Sequence, residues 1–154
     1  IALCVNRFVL VNAEIPSGSM ENTIMTGDRV FGNRLAYIFG EPKRFDIIIF
    51  RYPDDEKQLF IKRIIGLPGE TVEIHDGQIF IDGSKTPLKD VTTKEFMQGS
   101  FGPYTVPDNC YFVMGDNRNN SKDSRYWEHT FVTDDEIVGK AFLRYWPLNK
   151  IKFL

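Results

Sequence analysis

Residues 59–81 read LFIKRIIGLPGETVEIHDGQIFI, and this stretch decides the class of fold. Residues 59–65 are β-branched and aromatic around two cations. Residues 70–75 and 78–81 flank Asp76-Gly77, one of the strongest short-range hairpin signals. Apolar alternation with period two belongs to strands, because successive side chains leave the backbone on opposite faces. Outward from here the same signal returns at 45–52 (FDIIIFRY), 104–106, 110–114 (CYFVM) and 137–145 (IVGKAFLRY). Asp82-Gly83 adds a further turn. No long stretch has helical spacing, and short helical turns are expected only near 33–39 and 133–137. Residues 84–103 are polar and irregular and read as a small loop excursion. Many short strands separated by glycine and proline predict a mostly-β domain of antiparallel sheets, barrel-like or sandwich-like, with few short helices.

The chain has 154 residues, which at about 150 residues per domain predicts a single domain over 1–154. Hydrophobic residues at 42% and charged residues at 26% describe a folded globular chain and not a disordered tail. Lys plus Arg is 19 against 21 Asp plus Glu, and that balance argues against non-specific nucleic-acid binding, which needs clustered cations. Cys4 and Cys110 are too few for a disulfide framework and neither sits in a CxxC pair, so free thiols and a single bridge both remain open. No apolar run approaches the roughly 18 residues of a membrane span. Residues 1–11 come nearest but are broken by Asn6 and Arg7. Residues 1–14 read either as a first strand or as the remnant after a removed membrane anchor. His75 beside a hairpin turn and His129 in a polar stretch lack paired ligand spacing, so no metal site is expected.

Three segments carry groups suited to chemistry. In 15–20, IPSGSM, the Pro-Ser-Gly-Ser run is either a plain turn or a hydroxyl nucleophile on a tight turn. In the second reading Gly18 leaves room beside Ser19 for a substrate backbone, and Ser17 supplies a hydroxyl able to donate to a developing oxyanion. Lys62 shares a strand face with Phe60 and Ile64. It is either an edge lysine with its head in water or a desolvated amine. Bringing it from about 10.4 to about 7 takes ~4 kcal/mol. Residues 115–127, GDNRNNSKDSRYW, are dense in hydrogen-bonding groups. They follow an apolar strand and end in two aromatics, which suggests a loop packed down. Asp123 and Arg125 suit an ion pair, joined by Arg63, and Ser121 suits a hydrogen bond to a neutral lysine amine.

Taken together these segments resemble the bacterial type I signal peptidases. The matched pieces run in order from Ile15 to Lys140: IPSGSM at 15–20, Gly27-Asp28, FDIIIF at 45–50, IKRIIGLPGE at 61–70, MGDNRNNSKDSRYW at 114–127 and VGKA at 138–141. The resemblance implies a Ser–Lys dyad, with Ser19 as nucleophile and Lys62 as general base. It implies an oxyanion hole from the Ser19 N–H and the Ser17 hydroxyl, with Ser121 orienting the lysine and Asp123, Arg125 and Arg63 bracing the site. Ile15, Pro16, Met20, Ile24, Phe60 and Ile61 would line shallow apolar pockets. The implied fold is a mostly-β domain of coiled antiparallel sheets. The implied substrates are preprotein signal peptides cut after A-x-A-like sites, without a cofactor or metal. The implied setting is the extracytoplasmic face of the bacterial cytoplasmic membrane, with the domain acting as a monomer at the lipid surface and Phe8, Trp127 and Trp146 as candidates for an aromatic rim. Family members often have Pro where this chain has Asn22, a departure expected to affect only the local turn. Rival readings are a self-cleaving Ser–Lys peptidase of the repressor type and a non-enzymatic β-rich binding module.

Overall fold

A computed structural model describes residues 9–90, 93 and 95–154. Eleven strands follow in chain order: β1 Leu10–Glu14, β2 Arg29–Asn33, β3 Ile47–Tyr52, β4 Asp55–Gly66, β5 Thr71–His75, β6 Gln78–Ile81, β7 Phe101–Thr105, β8 Cys110–Met114, β9 Val132–Thr133, β10 Ile137–Trp146 and β11 Lys152–Phe153. The large sheet has the order β1-β2-β10-β3-β4-β8-β9, with β11 on β10, and a second sheet has the order β6-β5-β7. Every ladder is antiparallel. Bulges in β10 between Ala141 and Leu143, and between Arg144 and Trp146, bend the strand and raise its twist, which coils the large sheet. The coiled sheet stays open: among the described residues no ladder joins β1 to β9.

Period-two alternation partitions the core. In β3, Ile47 and Ile49 enter one cluster with Val11, Ile15, Met20, Ile24, Val30 and Ile61. Ile48 and Phe50 point the other way, into a cluster with Tyr52, Ile64, Tyr111, Val113 and Trp127. In β8, Tyr111 and Val113 belong to that second cluster, while Phe112 and Met114 pack against Val72, Ile74 and Ile79 of the small sheet. Strands buried on both faces therefore read as continuous apolar runs. Each fully buried Ile or Phe contributes about 1.5–3 kcal/mol of transfer free energy.

The hairpin at Asp76-Gly77 forms as expected, with φ of 47° and 76°, the left-handed pair that a two-residue hairpin turn requires. Near 33–39, where short helical turns are expected, residues 34–38 form turns, with Ile38 N–H on the Leu35 carbonyl at 3.2 Å, and stop short of a helical segment. The Asn33 side-chain oxygen accepts the Leu35 N–H at 2.9 Å, a local bond that competes with helix formation. The other expected turn is present as the 3₁₀ segment Asp134–Glu136, closed by a reciprocal capping box between Thr133 and Glu136. Strand β2 has no counterpart in the sequence reading. It pairs with β1 through Leu10–Asn33 and Glu14–Arg29, and that ladder creates the wall from which the candidate nucleophile turn departs. Cys4 and Phe8 lie outside the described residues. Cys110 is a free, half-buried thiol.

Candidate active site

Strand β1 ends at Glu14, and residues 15–20 leave it as a tight turn whose last part is the 3₁₀ segment Gly18–Met20. Backbone bonds from Ile15 N–H to Asp28 C=O (2.9 Å) and from Gly27 N–H to Ile15 C=O (2.8 Å) fasten the turn to the following loop. The buried Asp28 carboxylate accepts the Met25 N–H at 2.8 Å and faces Arg144 at 3.2 Å, which locks that loop to β10. Asn22 has φ of 91°. Proline is held near −65° and cannot adopt it, so the departure from the family pattern is accompanied by a different local backbone.

Lys62 comes from β4, where it pairs with Ile48 of β3. Its side chain is 3% exposed, and its Nζ lies 5.2 Å from the centre of the Phe60 ring. Nζ is 2.8 Å from Ser19 Oγ and donates to the Ile61 carbonyl at 3.0 Å. Burial pushes the amine down from the usual lysine range to about 8, against the opposing pull of Asp123 and Asp116. A shift of that size disfavours the ammonium by about 3 kcal/mol. In this structure Nζ donates to the Ser19 hydroxyl as well as to the Ile61 carbonyl, and deprotonation of so desolvated an amine would leave a lone pair able to accept the hydroxyl proton.

The segment after β8 folds over this pair. Gly115 is the contact point: a Cβ there would lie 2.2 Å from Ser121 Oγ and 2.3 Å from the Ser19 carbonyl oxygen. Asp123, fully buried, accepts the Gly115 N–H at 3.0 Å and grips Arg125 through bonds of 2.8 and 2.9 Å. The Arg125 guanidinium is further held by the Arg118 carbonyl at 2.8 Å and lies over Phe101 and Tyr126. Arg63 departs from the expectation that it joins this pair. It makes a separate two-pronged pair with Asp116, at 2.7 Å for both bonds. The reason is strand alternation: Arg63 faces the opposite side of β4 from Lys62 and meets Asp116 beyond its β8 partner Met114. Thr23 donates to the same Asp116 carboxylate at 2.5 Å.

Ser17 is exposed, with its Oγ 3.4 Å from Ser19 Oγ. Ser121 Oγ is buried and has no hydrogen-bond partner, so the expected bond to Lys62 is not formed. Asp116 and Asn117 are site residues that sequence reasoning missed. The Asn117 side chain donates to the Gly18 carbonyl at 3.0 Å and its backbone N–H to the Ser19 carbonyl at 3.0 Å. Those partners lie about a hundred residues upstream, and no local pattern signals them.

A cleft of about 600 Å³ opens onto Ser19 and Lys62, between β1 residues Asn12–Glu14 and β4 residues Gln58–Ile61. Ile15, Pro16, Phe60 and Ile61 line it. Met20 and Ile24 do not: both are fully buried in the core cluster beneath, where the 3₁₀ turn directs them. Trp127 also departs from its expected place at a membrane rim, because it is 5% exposed and packs against Phe50, Tyr52 and Phe60. Trp146 is 45% exposed. Among the described residues no acidic, histidine and cysteine cluster suits a metal, and no helix is long and apolar enough to cross a membrane.

Comparison with known proteins places the chain in a family. The family profile described as signal peptidase, peptidase S26, matches residues 1–146. A signal peptidase I of Leptolyngbya laminosa is 39% identical over 158 residues, covering 98% of this chain and 76% of the relative. Signal peptidase I T of Bacillus subtilis strain 168 is 37% identical over 160 residues, covering 99% of this chain and 82% of the relative. Among solved structures, a signal peptidase I from Enterococcus faecalis V583 superposes with a TM-score of 0.55 at 37% identity, over 65% of this chain and 96% of that one. The chain belongs to the signal peptidase family, peptidase S26.

Proposed function

We propose that this protein is a serine endopeptidase that removes N-terminal signal peptides from secreted preproteins after A-x-A-like sites. The observation that carries the reading is the 2.8 Å contact between Ser19 Oγ and a buried Lys62 amine whose pKa is lowered to about 8. Neutral Lys62 takes the Ser19 proton as Oγ attacks the carbonyl at the end of the signal peptide. The charge that develops on the carbonyl oxygen is met by the Ser19 N–H and the Ser17 hydroxyl. The Lys62 ammonium then passes its proton to the leaving amine. Water activated by neutral Lys62 hydrolyses the acyl-enzyme. The unpaired Ser121 hydroxyl is free to accept a bond from Lys62 once the ammonium forms.

The substrate lies extended in the cleft. Among the described residues β1 ends the large sheet and β4 has no neighbour on its β8 side before Arg63, so two strand edges are open to backbone pairing. The proposed setting is the extracytoplasmic face of the bacterial cytoplasmic membrane, with the domain as a monomer against lipid. A binding module has no use for a desolvated lysine held against a serine. A repressor-type peptidase needs its own cleavage segment.

The test is cleavage of an A-x-A peptide in detergent by wild type, Ser19→Ala and Lys62→Ala, read by mass spectrometry. The expected result is one cut directly after the last Ala, by wild type alone. Equal cleavage by all three proteins overturns the proposal.

A further inference from the structure

The cleft holds a charge that the chemistry above does not use. Its ionisable lining residues are Glu14, Lys62 and Lys122. Glu14 faces Arg29 at 3.4 Å, and Lys62 works as a neutral amine. Lys122 is exposed and makes no ion pair among the described residues. Its sequence neighbour Asp123 is unavailable, since that carboxylate is fully buried and committed to Arg125 and the Gly115 N–H. The base of the lysine is fixed all the same. It stands between two buried residues, Ser121 and Asp123, on the segment that Gly115 holds against the Ser19 carbonyl. Alternation along that extended backbone turns Ser121 and Asp123 inward and Lys122 outward, into the cleft mouth beside Asn120.

The position within the cleft gives the charge a meaning. The β1 and β4 edges form the walls for the acyl half of an extended substrate, ending at Ser19 and Lys62. The leaving half must pass Lys62, which protonates its amine, and emerge toward Asn120 and Lys122. We propose that Lys122 reads the first residues after the scissile bond and favours substrates with a carboxylate there. This rests on the endopeptidase reading above and adds a specificity to it. An exposed ion pair of this kind changes kcat/KM by about two- to fivefold, and salt screens it.

The experiment uses matched A-x-A peptides with Glu, Gln or Lys at the second and third positions of the leaving half. Each is cleaved in detergent by wild type, Lys122→Gln and Lys122→Glu. The readout is the ratio of kcat/KM for the Glu and Lys peptides within each protein, which partial misfolding of a variant does not alter. The expected ratio is about two to five for wild type and near one for Lys122→Gln. It falls below one for Lys122→Glu, and the wild-type ratio shrinks as salt is raised. A single cut after the last Ala with the same ratio in all three proteins overturns the proposal and leaves the endopeptidase reading standing. The same invariance with weakened binding of Lys122→Gln to anionic vesicles assigns the lysine to the membrane instead, and also overturns it. No cleavage of any peptide by wild type overturns the endopeptidase reading, and the specificity falls with it.

Discussion

Two clefts of similar size with no lining residue in common differ in the state of their buried polar groups. The larger, about 700 Å³, is lined by Tyr37, Glu41, Tyr111 and Asp134. Its tyrosine hydroxyls are engaged: Tyr37 donates to Asp46 at 3.0 Å and Tyr111 bonds Asp134. Burial and those carboxylates raise both phenols well above the ordinary tyrosine range, so they stay protonated donors. The smaller, about 600 Å³, contains an amine that burial has pushed the other way, toward neutrality, against a serine hydroxyl. A buried polar group with a complementary partner stabilises the fold and is inert. A buried base with its lone pair aimed at a nucleophile is chemically poised. Volume alone does not distinguish them.

The comparison breaks most sharply at the dyad. Ser19→Ala and Lys62→Ala should each lower turnover by ~10³–10⁶, as expected for groups acting as a unit. The double variant should be little worse than either single one, and its kcat is the measurement that checks this. Gly115→Ala comes next. A methyl within 2.2–2.3 Å of Ser121 Oγ and the Ser19 carbonyl must displace one of them, and an ångström of misplacement costs about a hundredfold in kcat. A pH–rate profile sharpens the point. On the proposed mechanism neutral Lys62 is the active form, so kcat/KM should rise with pH through a midpoint of about 8 and reach about a tenth of its plateau at pH 7. A midpoint near the ordinary lysine value would mean the amine is solvated.

Ser121→Ala is a finer probe. Its hydroxyl is buried without a partner, so removing it should leave the thermal midpoint unchanged or raised. If the hydroxyl meets the Lys62 ammonium during the reaction, kcat falls about tenfold at the same time. A lowered midpoint together with unchanged kcat would assign Ser121 to structure alone. The smallest effect on activity belongs to the other cleft: Tyr37→Phe should change kcat by less than about twofold, while lowering the unfolding free energy measured in denaturant by about 1 kcal/mol through the lost bond to Asp46.

The large elements were legible because their signal is local. The apolar run of β3, the alternation of β5 and the Asp76-Gly77 turn each declare themselves within a few residues. Ser19 and Lys62 were legible through short motifs at family spacing, and Asp123–Arg125 because both partners lie two residues apart. Strand β2 was not, since its two apolar side chains, Val30 and Phe31, are adjacent and show no period of two, and its strand state comes from pairing with β1 and β10. Met20, Ile24 and Trp127 are apolar types equally suited to a pocket wall, a membrane rim or a core, and only the packing around them sends all three to the core.

What the sequence determined by itself is the strand period, the hairpin turns and the side-chain types offered by the Ser19, Lys62 and Asp123 segments, since these depend on neighbouring residues and side-chain chemistry. What the tertiary structure decided is which distant groups meet: Arg63 with Asp116 and not Asp123, Asn117 under the Ser19 turn, and Lys62 in a place dry enough to bring its pKa down to about 8. Hydrogen-bond partners and desolvation depend on atoms brought together across the chain, and no local stretch of sequence contains both sides of such a contact.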